Sequence, residues 1–182
     1  MKRVLFVILG SGIVWLVLAM QPAHVEESFS TTPKATHEIL PASSQKIIPE
    51  LFTVAAVIDG DTIEVWNGEV RQRVRYIGIN TPEIYPRPEC YGAEAATYNQ
   101  TLVSGKSVRL ERDVSDTDQY GRWLRYVYVE EMFVNEELIK AGYAHARVYP
   151  PDTAKQGILG KAEKTAKQAA VGRWSACGGE AV

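Results

Sequence analysis

Thr62-Ile63-Glu64-Val65-Trp66-Asn67-Gly68-Glu69-Val70-Arg71-Gln72-Arg73-Val74-Arg75-Tyr76-Ile77-Gly78-Ile79 is the stretch that decides the fold. Two strand-like runs, 62–66 and 70–79, flank Asn67-Gly68. That dipeptide tolerates the left-handed backbone of a two-residue hairpin turn. In the second run Arg71, Arg73 and Arg75 alternate along the chain and so share one face. A third run at 52–58 precedes them, and the three together read as an antiparallel meander.

Working outward, a helix is predicted over 93–103, ended by Ser104-Gly105, and two further strands over 107–112 and 123–129. Asn135 is read as the cap of a short helix, 136–141, that stops at Gly142, and a third helix is predicted over 153–170. Five short strands interleaved with helices give an α+β domain, a small five-stranded Greek-key barrel of the OB type with three helices, spanning 48–179. That architecture often binds nucleic acids or sugars, but it does not name an activity.

The 182 residues, 46% of them hydrophobic, suffice for one core and hardly for two. A charged fraction of 23% and a net charge of -2 exclude a disordered chain and a strongly basic coat. The N-terminus is different: Lys2 and Arg3 precede an uncharged run at 4–20. Its length lies between the apolar part of a signal peptide and a membrane span of about 20 residues. Both readings of 1–20, cleaved leader and membrane anchor, stand. Under the positive-inside rule either one puts the rest of the chain outside the cytoplasm, secreted or attached through 4–20. Residues 21–47, rich in Ser, Thr, Pro and His, read as a linker, in which His24 and His37 are solvated. Outside the cytoplasm the two cysteines, Cys90 and Cys177, are expected to pair rather than stay free thiols, fastening the C-terminal tail to the domain. For a loop near 100 residues the chain-entropy estimate is about 4.7 kcal/mol.

Three segments carry chemistry. Asp59-Gly60-Asp61-Thr62 displays two carboxylates at a turn, which alone describes an ordinary hairpin. Arg75 to Glu83 ends a strand in a proline-stiffened turn bearing Asn80, Thr81 and Glu83. Hard cations such as calcium take several oxygen ligands, and Asp61, Asn80 and the Thr81 carbonyl supply such oxygens. Asp118-Gln119-Tyr120-Gly121-Arg122 presents Arg122 at the start of a strand, where its planar fork suits two phosphate oxygens. Alone, Arg122 reads equally as a surface ion pair or as a partner for Trp123.

In order, these segments, with Tyr-Gly-x-Glu-Ala at Tyr91 to Ala95 and Val-Asn-Glu at Val134 to Glu136, closely resemble staphylococcal nuclease from about Thr53 to Trp174. The resemblance implies a calcium-dependent, sugar-unspecific endonuclease that hydrolyses DNA and RNA at the 5′ P–O bond and leaves 3′-phosphate ends. By it, Asp61 is a calcium ligand with Asn80 and Thr81, Glu83 orients or deprotonates the attacking water, and Arg75 and Arg122 hold the scissile phosphate. Tyr120 and Tyr149 match tyrosines near the bound nucleotide. There are departures: Asn80 stands where well-known members carry a metal-binding aspartate, Arg147 replaces a tyrosine, and Gln119 replaces a lysine. A monomer is expected.

Two rivals share the fold: a non-catalytic nucleic-acid-binding module, and an envelope-anchored interaction module. From Ile48 onward 16 Lys plus Arg stand against 19 Asp plus Glu, so binding without a metal-centred site has little electrostatic support. Arg71 and Arg73 read as a solvated face, Lys161, Lys164 and Lys167 as a solubilising helix surface, and Trp174 as core. His145 is expected either to face solvent or to pack on the barrel.

Overall fold

A computed structural model describes residues 50–178. The leader or anchor read at 1–20 and the linker at 21–47 lie outside the described residues. Among the described residues no helix is long and apolar enough to cross a membrane. In chain order the elements are β1 (Leu51–Val57), β2 (Thr62–Asn67), β3 (Val70–Tyr76), β4 (Ile79–Asn80), α1 (Gly92–Val103), β5 (Ser107–Glu111), β6 (Trp123–Val129), β7 (Met132–Phe133), α2 (Val134–Lys140), β8 (His145–Ala146), α3 (Gln156–Gln168) and α4 (Arg173–Ala176).

The long strands run β3-β2-β1-β5-β6, each antiparallel to its neighbour, and a parallel β3–β6 pairing closes them into a barrel. This is the five-stranded α+β barrel that the sequence predicts. Closure removes the sheet edges. β1 serves two partners because its register shifts between Val54 and Ala56: 51–53 pair with β5 and 54–57 with β2. Alternation along β2 and β3 sends Ile63, Val65, Val74 and Tyr76 inward, where Val103, Leu138 and Leu159 from three helices complete the core.

Several boundaries differ from expectation. The strand predicted to reach Ile79 ends at Tyr76; the chain turns at Ile77-Gly78, and Ile79 and Asn80 pair instead with Ala146 and His145. Asn135 is not a helix cap. It lies inside α2, fully buried, and its Oδ1 accepts the Val127 N–H at 2.9 Å while its Nδ2 donates to the Ile77 carbonyl at 2.9 Å. It thus ties α2 to β6 and to the turn after β3. The third helix is shorter than predicted, and α4 was not expected. Trp174 is half-buried rather than core, its ring edge-on to His145 at 4.8 Å with Lys167 above it at 4.5 Å. Cys90 and Cys177 form a disulfide across a sequence separation of 87.

Candidate active site

The β1–β2 turn is built by its own side chains. Asp59 Oδ1 accepts the Asp61 N–H at 2.9 Å, closing a turn that delivers Asp61, 5% exposed, to the start of β2. From α1, Asn99 donates to the Asp59 carbonyl at 3.1 Å and accepts the Tyr76 hydroxyl at 3.0 Å. Gly60 is required by close approach: a Cβ there would stand 2.7 Å from that of Thr81. This contact lets the Thr81 N–H reach Asp61 Oδ2 at 2.8 Å.

Arg75 is the hub. Its Nη2 meets Asp61 Oδ2 at 3.0 Å and Asn80 Oδ1 at 2.9 Å, while Nη1 donates to the carbonyls of Tyr76 and Ile79 at 2.9 and 3.0 Å. Because guanidinium only donates, Asn80 must turn its oxygen toward Arg75, and its amide nitrogen lies 3.4 Å from the Thr81 carbonyl. Asp61, Asn80 and Thr81 are thus gathered around one guanidinium. Burial pushes the Asp61 carboxyl up to about 6; Arg75 pulls it down and Asp59 adds to the rise.

Arg122 reaches the same face by register. The parallel ladder sets Arg75 opposite Leu124, and Arg122, two residues before Leu124, shares its side. Asp118 holds Arg122 in place: Oδ2 accepts Nε at 2.7 Å, and Oδ1 accepts the backbone N–H groups of Arg122 and Tyr120 at 3.0 and 2.9 Å. Burial pushes the Asp118 carboxyl up, but these bonds outweigh it and hold the group below the ordinary carboxylate range. Arg75, Arg122, Tyr120 and Tyr149 line one cavity of about 550 Å³. Tyr120 is 74% exposed, and Tyr149 faces Asp152 across a short bridge.

Glu83 stands on the loop after β4, exposed at its side chain and held at its backbone. Its N–H donates to Glu89 Oε2 at 2.9 Å and its carbonyl accepts the Glu89 N–H at 2.9 Å. The first residue of α1 must be glycine, since a Cβ at Gly92 would come 2.5 Å from the Glu83 carbonyl oxygen. Burial raises the Glu83 carboxyl, and Asp59 adds to this against the pull of Arg75 and Arg122. Its charge therefore answers to both arginines, although it does not line the tyrosine cavity.

The family model described as staphylococcal nuclease homologue matches residues 73–176, more than half of the chain. The chain belongs to the staphylococcal nuclease family. It is 37% identical over 129 residues to the thermonuclease of Staphylococcus hyicus, a match covering 69% of this chain and 76% of that one. To the thermonuclease of Staphylococcus intermedius it is 36% identical over 135 residues, covering 72% and 80%. Endonuclease YncB of Bacillus subtilis (strain 168) matches at 40% over 132 residues, covering 69% of this chain and 62% of that protein.

The donor set of this staphylococcal nuclease relative fits a hard cation. Asp61, Asn80 and the Thr81 carbonyl offer only oxygens, and the repulsion of Asp59 on both Asp61 and Glu83 is what a cation would relieve. Asp61 is the one carboxylate among these three, and its Oδ2 accepts from Arg75 and from the Thr81 N–H. Accordingly, among the described residues no three His, Cys, Asp or Glu side chains converge to hold a metal by themselves.

Sequence reading missed the supports of the site. In the sequence Asp118 is one member of the Asp-x-Tyr-Gly-Arg motif with no role of its own, yet it makes the bonds that orient Arg122. Asn99 carried a signal: it falls between Ala95 and Val103 at four-residue spacing, on the buried face of α1. Asp152, which accepts the Val114 and Ser115 N–H groups at 3.0 and 2.7 Å, carried none. Arg71 and Arg73 form the expected surface face, both paired with Glu64. His145 packs inside, 8% exposed, with Nδ1 3.1 Å from Glu163; burial lowers its pKa, and the charge of Arg173 lowers it further.

Proposed function

We propose that the protein is an exported, calcium-dependent nuclease that hydrolyses phosphodiester bonds of DNA and RNA and leaves 3′-phosphate ends. The observation that carries this is the placing of Arg75 and Arg122 on one face of the β3–β6 ladder over one cavity, with Asp61, Asn80 and Thr81 gathered at Arg75. Kinship with proteins called thermonuclease and endonuclease supports the reaction class.

Both arginines are donor-only forks, suited to grip the phosphate oxygens on which negative charge grows as water attacks phosphorus. Glu83 takes the proton of that water; a raised carboxyl is the better base for it, and base catalysis of this kind contributes about 10²- to 10⁴-fold. The new bond joins the water oxygen to phosphorus, the P–O5′ bond breaks, and the products carry a 3′-phosphate and, after protonation, a 5′-hydroxyl. Asp61, Asn80 and the Thr81 carbonyl would hold calcium, whose contribution is Lewis-acid polarisation of a phosphoryl oxygen. Residues 1–20 supply the export signal, and 4–20 the attachment if they are retained.

Release of acid-soluble nucleotides from DNA and from RNA, with calcium and with a chelator, tests the reading. Release in calcium alone is expected. Binding without release would leave the non-catalytic module, and neither would leave the interaction module.

A further inference from the structure

The cavity bearing Tyr120 and Tyr149 takes in Arg75 and Arg122 but not Glu83. Glu83 stands on a separate loop that carries its own ring. Tyr85, two residues on, is 79% exposed, more than any other large hydrophobic side chain among the described residues. A tyrosine so placed contributes nothing to the core.

Arg87, two residues further, is exposed as well. Other surface arginines are matched to acids: Arg71 and Arg73 to Glu64, Arg109 to Glu111, Arg112 and Arg125 to Asp116, Arg122 to Asp118. Arg87 and Arg147 have no ion pair among the described residues, and each sits two residues from an exposed tyrosine, Tyr85 and Tyr149. Tyr149 lines the cavity, with the Arg147 guanidinium 5.9 Å from its ring centre; Arg87 and Tyr85 lie on the Glu83 loop. The Glu83 loop thus carries an open ring and an unmatched guanidinium two residues apart, the two kinds of group that bind a nucleotide, base face to one and phosphate to the other.

Reach and rigidity agree. At about 3.6 Å per residue the Tyr85 and Glu83 Cα atoms are at most about 7 Å apart, one or two nucleotides at about 3.4 Å each along a stacked strand. The loop is held at both ends, by the Glu83–Glu89 bonds and by the Cys90–Cys177 disulfide, so docking sacrifices little freedom.

Resting on the nuclease reading above, we propose that Tyr85 and Arg87 form a second nucleotide subsite on the Glu83 side of the reacting phosphodiester, taking an unpaired base on Tyr85 and the adjoining phosphate on Arg87. A ring needs an open base face, which a duplex hides. The subsite therefore favours single-stranded DNA or RNA.

The test compares a fluorescein-labelled single-stranded oligonucleotide with its duplex. Tyr85→Ala is expected to raise KM for the single strand about tenfold, the loss of one base–aromatic stack, with kcat changed less than about twofold. Tyr85→Phe keeps the ring and should keep the wild-type KM. On the duplex the Tyr85→Ala change should stay within about twofold. Arg87→Gln should lower the slope of log KM against log salt by about 0.7, the share of one phosphate on a single strand. An unchanged KM in Tyr85→Ala, or an equal rise on single strand and duplex, overturns the subsite. Wild-type protein that cuts neither substrate overturns the nuclease reading instead. Anisotropy binding of the same oligonucleotide to wild type and Tyr85→Ala then still decides the subsite, since equal Kd values reject it and a roughly tenfold loss upholds it.

Discussion

Two loops flank Arg75, and both place a charged side chain with the help of an acid. The loop before β6 uses Asp118, which bonds the guanidinium of Arg122 itself as well as its backbone. The loop before α1 uses Glu89, which bonds only the backbone of Glu83, and adds a disulfide one residue later. The difference follows from what each side chain has to do. A phosphate clamp gains from a fixed fork, whereas a base has to leave its carboxylate free to meet water. One loop thus fixes a side chain through hydrogen bonds, and the other fixes a position through the main chain and a covalent link.

The sharpest way to break this comparison is Glu83→Gln. If the carboxylate acts through its charge and only its backbone is held, folding and calcium binding should survive while kcat falls by at least about a hundredfold. Near-native turnover at saturating calcium would remove Glu83 from the reaction. Arg122→Lys and Arg75→Lys come next. Lysine keeps the charge and loses the fork, so each should lose more than about tenfold in kcat/KM, and smaller losses in both would reduce the arginines to ion-pair partners. Asp118→Asn probes the support of that clamp and should cost less, about threefold to tenfold, as a neutral acceptor replaces a charged one. Because the Asp118 carboxyl sits low in the folded protein, its contribution is whole at neutral pH and is lost as pH falls through that lowered value. A rate comparison at pH 7 therefore reads all of it.

On the other loop, Cys90→Ser should cost stability, about 2 to 5 kcal/mol by denaturant titration, and should lower turnover only a few-fold through looser placement of Glu83. Equal activity and stability would mean that Glu89 holds the loop without the link. The smallest effect is expected at Asn80. Asn80→Asp adds a carboxylate at constant size, so the calcium concentration for half-maximal activity should drop severalfold. An unchanged or higher requirement would leave the metal to Asp61, backbone and water.

Much of this was legible in the chain. Alternation from Thr62 to Tyr76 and the Asn67-Gly68 turn exposed the hairpin that seeds the barrel, and the Asp61, Arg75 and Asn80 spacing exposed the hub. What escaped reading depends on partners far away in sequence. The Ile79–Asn80 strand is two residues long and exists only against His145 and Ala146, so no local periodicity could reveal it. Asn135 sits where a cap would sit, and only the nearness of Val127 and Ile77 makes it a bridge instead. Trp174 is apolar enough for a core, but it sits in the short α4, just before the disulfide-bonded Cys177, and part of it stays open to solvent. Supports such as Asp118, Asn99 and Asp152 each bond a backbone group as well as, for the first two, a side chain, and a sequence does not print the backbone partners.

The parallel pairing of β3 with β6 also sets where this chain can change length. Arg75 and Arg122 are aligned by rungs of one ladder, Val74 with Trp123 and Arg75 with Leu124. Inserting one residue within 70–75 ahead of Arg75 would swing its side chain through half a turn, into the barrel, and no compensating substitution nearby would swing it back. A residue added at Gly68 or Gly105, where even a Cβ would meet nothing within 4 Å, leaves the rungs untouched. Lengthening and shortening among descendants of this sequence should therefore collect at those tips, while the spacing inside the two strands stays constant.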